Sequence, residues 1–199
     1  WLFISRPLAG TLVDMSAASS RPVLANLTPV EQVRAPHLPR RLILLFVGLS
    51  IYGVSMALVI RSLLGQLPWD VLHVGIASNL PLSIGQVIIG VSFVVLVLWI
   101  PLRQMPGLGT IANAIWIGLA TDVVLGLIAA PDAWWLRVAM LVSGIFLNGV
   151  ATAMYIGSQL GPGPRDGLMT GLSRRTGLSL RLVRTAMEIT VVALGWLLG

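Results

Sequence analysis

Five long apolar runs organise the chain, at residues 42–60, 84–102, 108–130, 138–156 and 182–199. The first, second and fourth hold no charged residue. Nineteen residues rising 1.5 Å each span about 28 Å, close to the thickness of a bilayer's hydrocarbon core. The third run contains Asp122, and the last carries Arg184 and Glu188 near its start. Runs of this length predict transmembrane helices, so the expected class is all-α: a polytopic helix bundle with five spans. Residues 1–40 are polar, contain proline and keep no sustained period, which predicts a disordered leader.

The pattern repeats. Sliding the sequence on itself by 96 positions aligns 41–100 with 137–196 without a gap, and nineteen of sixty pairs are identical. Among them are Arg41/Arg137, Gly48/Gly144, Gly53/Gly149, Ser62/Ser158, Gly65/Gly161, Pro68/Pro164, Asp70/Asp166, Gly75/Gly171 and Ser83/Ser179. Shared apolar composition explains matching Leu and Val, but not Gly, Pro, Asp and Ser in register. The unit holds three helices, because the unmatched run at 108–130 closes the first copy. Repeat 1 then covers about 41–131 and repeat 2 about 137–199. An odd number of spans turns the second copy upside down, the inverted-topology logic of many secondary transporters. The same offset predicts a partner for 106–130 at about 202–226, hence six helices in the intact protein and an incomplete second repeat here.

Composition agrees with a membrane protein. Charged residues make up 10% and hydrophobic residues 56%, whereas soluble domains carry roughly 25% charged. All thirteen basic residues are Arg. With a cytoplasmic N-terminus, eleven of them fall inside and only Arg61 and Arg137 outside, the bias that positive charge imposes on topology. The expected location is the inner membrane of a bacterium. The net charge of +6 flanks spans and forms no separate basic domain, so no nucleic-acid partner is expected. The absence of Cys excludes disulfides, thiol nucleophiles and Cys-bound zinc, and His37 and His73 are the only histidines. No cofactor, metal or enzymatic activity is therefore expected. Met15-Ser16-Ala17-Ala18-Ser19-Ser20 reads as an ordinary bacterial start, so the expected beginning is Met15 or Trp1, and only with the first do residues 1–14 fall outside the native protein.

Candidate chemistry concentrates in two linkers, 65–82 and 161–178. Each has a Gly/Pro break, then Pro-x-Asp, a short helical stretch, and Leu-Ser opening the next span. Asp70 and Asp166 are candidate N-caps, since a carboxylate accepts bonds from first-turn amides. Ser83 with Gln86 has the spacing of a capping box, and Ser179 caps without that Gln. Two readings stand: half-helices dipping into the membrane from opposite sides toward a central cavity, or capped helices lying on the membrane surface. The candidate substrate or ion site comprises Asp70, Asp166, Asp122, Glu188 and Asn113. Ionisable groups at membrane depth cost roughly 2.5–3.5 kcal/mol on insertion scales and need a partner or a function. Glu188 has Arg184 four residues earlier as a partner; Asp122 has no basic neighbour in sequence. Asn113 and Asn148 suit interhelical hydrogen bonding, Gly48, Gly53, Gly144 and Gly149 close helix packing, and Trp99, Trp134 and Trp135 the aromatic belt. His73 lies one turn after Asp70, but its counterpart is Met169, so an acid–base pair is not part of the repeated architecture.

Gly107-Leu108-Gly109-Thr110-Ile111-Ala112-Asn113, taken with Leu67-Pro68-Trp69-Asp70 and Gly163-Pro164-Arg165-Asp166-Gly167, resembles the YczE-like family of bacterial membrane proteins. The resemblance runs from about residue 38 to the end. It implies a polytopic protein and carries no established biochemical activity. The leader before Met15 and the missing sixth helix depart from the family pattern. The functional expectation is a small transporter or permease-like protein with a site for a small molecule or ion between inverted repeats. The alternative is a non-transporting scaffold or regulatory subunit in the lipid bilayer, binding a partner membrane protein or further copies of itself.

Overall fold

The computed structural model describes residues 28–199, which form eight helices and no strand. They are α1 (Pro29–Arg34), α2 (Leu38–Ser62), α3 (Pro68–Asn79), α4 (Ile84–Leu102), α5 (Leu108–Leu127), α6 (Trp134–Gly157), α7 (Pro164–Thr176) and α8 (Leu180–Leu198). The expected leader is corrected at its end. Thr28 and Glu31 form a capping box that opens α1, and that box holds the Glu31 carboxyl below its ordinary value. Pro39 in the first turn lets α2 begin at Leu38, because a first-turn proline lacks only an amide that would be unpaired anyway. The remainder of the leader, 1–27, lies outside the described residues.

Four helices, α2, α4, α5 and α6, are long and apolar enough to cross a membrane. The fifth expected span, α8, has 19 residues but carries Arg181, Arg184 and Glu188.

Helix boundaries keep the 96-residue register. Adding 96 to α3 (68–79) gives 164–175, against 164–176 for α7, and adding it to α4 (84–102) gives 180–198, the bounds of α8. Even backbone irregularities repeat: Leu63 and Gln159, 96 apart, both take left-handed φ, 55° and 53°, where α2 and α6 end.

Packing between the copies is reciprocal. A Cβ on Gly48 would meet Ala151 O and Tyr155 N, and one on Gly144 would meet Ser55 O and Val59 N. Adding 96 to Gly48 and subtracting it from 151 and 155 yields the second contact, Gly144 with 55 and 59, with the roles of the copies exchanged. Residue numbers rise along α2 as they fall along α6 at this contact, so the two helices cross antiparallel. Small residues let the backbones approach where lipid provides no hydrophobic drive between helices. The outer elements obey the same exchange: α3 packs on α8, while α7 packs on α4. Gly195 of α8 lies against Val71 and Leu72, and Trp99 of α4, the counterpart of Gly195, lies against Gly167, the counterpart of Val71. A large ring on one side thus answers a glycine on the other.

α5 has no counterpart among the described helices. It is seated on α2 through Gly53 against Ala120 and Thr121, and on α4 through Gly85 against Gly118. Leu45, Leu49, Met56, Ile88, Ile117, Tyr155 and Leu160 form the main buried cluster at the junction of α2, α4, α5 and α6. Arg41 clips one end of this core. Its guanidinium donates to the carbonyls of Gln32 at 2.7 Å, Ser158 at 2.9 Å and Gln159 at 2.8 Å, placing a cation just past the C-terminal end of α6, where the helix dipole is negative.

Two packing expectations change. Trp99 is not a belt residue but is 2% exposed, donating from Nε1 to Pro164 O at 3.0 Å, whereas Trp134 and Trp135 are 69% exposed. Gly149 has open space where Gly48, Gly53 and Gly144 meet neighbours.

Candidate functional site

The two short helices begin at their prolines, and this corrects the expected caps. The N-caps are Leu67 and Gly163, neither with a side-chain cap bond, while Asp70 and Asp166 sit at the third helical position. Proline pre-sets φ for the first turn, so each helix starts two residues ahead of its aspartate. Freed from capping, the aspartates take different surroundings. Asp166 accepts a short hydrogen bond from the Tyr155 hydroxyl. Asp70 is fully buried, with no hydrogen-bond partner on either carboxylate oxygen.

The other two caps form at the expected residues. Ser83 accepts from Gln86 N at 3.1 Å, with the Gln86 side chain returning to Ser83 N at 3.0 Å. Ser179 accepts from Leu182 N at 3.3 Å. Asp122 of α5 adds itself to the first of these. It accepts from the Ser83 hydroxyl and, at 2.7 Å, from Gly85 N. This carboxylate has no basic partner there; it neutralises the positive end of α4. Its place is therefore at a helix junction away from the other candidates.

Two adjoining hollows bring the remaining candidates together. A narrow one of about 50 Å³ is lined by Tyr52, Ser92, Asn113, Tyr155, Pro164 and Asp166, among others. A wider one of about 270 Å³ includes Pro68, Trp69, Asn148, Arg165, Asp166 and Glu188. Tyr52, Tyr155, Arg165 and Asp166 line both. Several lining residues are repeat pairs: Tyr52/Asn148, Pro68/Pro164 and Trp69/Arg165 are each 96 apart. The hollow therefore lies where the two copies meet, between the first turns of α3 and α7. Arg165 stacks over the Trp69 ring, 4.8 Å from its centroid, joining the two short helices directly. Glu188 reaches the wall paired with Arg184 at 2.9 Å. Asn148 donates to Ser55 Oγ at 3.1 Å, a bond between α6 and α2.

Of the five sequence candidates, Asn113, Asp166 and Glu188 share this hollow, and Asp70 and Asp122 do not line it. Tyr52, Tyr155 and Arg165 were missed. The signal for them is the broken repeat: inside otherwise matched spans, Tyr52 faces Asn148, Val59 faces Tyr155, and Trp69 faces Arg165. Residues that differ between otherwise matched copies are not explained by the shared scaffold alone.

The helices, their apolar surfaces and the polar hollow between them define a polytopic helical membrane protein in contact with the lipid bilayer. The chain belongs to the family of unknown function DUF6198, whose model matches residues 39–199. It is 43% identical over 157 residues to an uncharacterized protein of Haemophilus influenzae, covering 79% of this chain and 72% of that one. It is 31% identical over 157 residues to the uncharacterized membrane protein YczE of Bacillus subtilis, covering 77% and 73%. A second Bacillus subtilis protein, YyaS, is 27% identical over 152 residues, covering 73% and 76%. No solved structure matches the chain.

Proposed function

We propose that this protein is a small permease-like transporter of a bacterial inner membrane, with its N-terminus cytoplasmic and its site in the hollow between α3 and α7. In this reading α8 is the fifth span, and its Arg184–Glu188 pair lies at the edge of the hollow. The observation that carries it is the position of that hollow. It lies on the pseudo-symmetry element between two short proline-initiated helices, and half-helix ends at a repeat interface form the sites of inverted-repeat transporters. Two helix N-termini, two arginines, two carboxylates and the Tyr155 hydroxyl suit a small polar solute or ion bound without covalent chemistry. Asp166, held by Tyr155, and Asn113 and Asn148 supply the polar contacts.

Alternating access makes a specific demand. A cysteine replacing Asn148 or Thr152, in a chain with no other cysteine, is expected to react with a small impermeant thiol reagent applied from either side of the membrane. Reaction from one side only, or from neither, sinks the transport reading. A dry hollow would leave the scaffold or regulatory subunit as the better account.

A further inference from the structure

A second polar site lies one turn beyond the hollow. Asp70 is 0% exposed and His73 1% exposed, and His73 Nδ1 stands 3.7 Å from Asp70 Oδ1. Among the described residues, neither carboxylate oxygen and neither ring nitrogen has a hydrogen-bond partner. Leaving one such buried polar atom unpaired costs roughly 1–3 kcal/mol, and four on two adjacent side chains is a large standing cost. The pair is built in, not a flaw of loose packing. Gly75 and Gly195 bring the α3 and α8 backbones together just beside it, where an added Cβ on Gly75 would stand 2.5 Å from Gly195 O.

The surrounding charges are few. α4 holds no titratable residue between its ends. From α8, Arg184 and Glu188 reach the neighbouring hollow and bond each other. From α7 come Asp166, engaged by Tyr155, and Arg165; burial above all, with the Arg165 charge, holds His73 below its ordinary value, while Asp70 acts in the opposite direction. A neutral imidazole beside a buried carboxylate leaves a net negative charge facing Arg165. One added proton removes that charge and makes both ring nitrogens donors, so that an N–H faces Asp70 whichever nitrogen carries the proton of the neutral ring.

We infer that Asp70 and His73 form a proton-binding site: His73 Nδ1 takes up one proton from water, and the resulting imidazolium donates it in a hydrogen bond to Asp70 Oδ1. No other bond forms or breaks. Uptake weakens the hold of the pair on Arg165, the residue that bridges to Trp69 and lines the hollow, so occupancy of the proton site alters the charge presented to a solute. The second repeat has Met169 in place of His73, which confines the proton site to one half. The inference goes beyond transport: a His73 that titrates in a protein with a dry hollow would defeat the transport reading and keep this one.

The test uses the full chain with ¹⁵N-labelled histidine and His37→Gln, leaving His73 as the single imidazole, in lipid nanodiscs. Imidazole nitrogen shifts are followed from about pH 5 to about pH 9, the range in which histidine charge ordinarily changes. Expected is one transition to imidazolium, with a midpoint lowered by about one pH unit or more in Asp70→Asn and raised in Arg165→Gln. A neutral imidazole throughout, or an unchanged midpoint in Asp70→Asn, overturns the assignment. Should Asp70→Asn fail to fold, His73→Met copies the residue of the other repeat. Its melting temperature in detergent is expected to lose the pH dependence of the wild type, and an identical dependence overturns the inference.

Discussion

The Trp99–Gly167 contact shows how a single residue is constrained by its opposite number. A Cβ on Gly167 would lie 2.0 Å from Trp99 Cζ2, and the ring is tethered through Nε1 to Pro164 O. The ring cannot swing aside without giving up that bond. Gly167→Ala is therefore expected to destabilise the protein by about 1–3 kcal/mol, the usual cost of overpacking. Gly90 is the control: nothing lies within 4 Å of its Cβ position, and its counterpart 96 residues on is Ala186. Gly90→Ala is expected to be neutral or to stabilise by up to about 1 kcal/mol through helix propensity. Unfolding titrations in mixed detergent micelles measure both, and equal effects at the two sites would refute the close-contact argument.

Among the elements, α4 has the best-defended start. Its first-turn amides are served by Ser83 and Asp122 together, and Asp122 comes from α5, 39 residues away from the Ser83 it contacts. This bond joins a local cap to a tertiary contact, so its two halves should not act independently. Ser83→Ala and Asp122→Ala are each expected to cost about 0.5–2 kcal/mol. The double variant is expected to cost less than the sum by about 0.5 kcal/mol or more, as for residues in one network. Costs that simply add would separate Asp122 from the cap and return it to the list of candidate ion ligands. α3 and α7 contrast with α4. Their prolines dispense with a side-chain cap, which is why Asp70 and Asp166 are free for other contacts.

For the whole molecule, the decisive arrangement is the exchange of roles between the two copies. α2 and α6 cross antiparallel through Gly48 and Gly144, and each short helix docks on a long helix of the opposite copy, α3 on α8 and α7 on α4. In the proposed topology the two linkers lie on opposite sides of the bilayer, with the Arg-rich one inside. A cysteine at Gln66 is expected to label with an impermeant maleimide from the outside, and one at Arg174 from the cytoplasmic side. Labelling of both from one side would refute the inverted arrangement.

Much of the architecture was legible in the sequence because its causes are local. Apolar run length, proline and glycine breaks and Ser-x-x-Gln spacing act over a few residues, and the 96-residue offset carried the same signals twice. The register of α4 with α8 and the starts at Ser83 and Ser179 follow from them. Where each side chain points was settled only by tertiary packing. A membrane helix is apolar on nearly every face, so no amphipathic stripe separates the packed face from the lipid face. For that reason Trp99 could not be told from Trp134 in the sequence, though one is buried against Gly167 and the other exposed. Asp122 had no visible partner because Ser83 lies across a helix junction. The hollow of Tyr52, Tyr155, Arg165 and Asp166, and the burial of Asp70 with His73, exist only once the second copy is turned over onto the first.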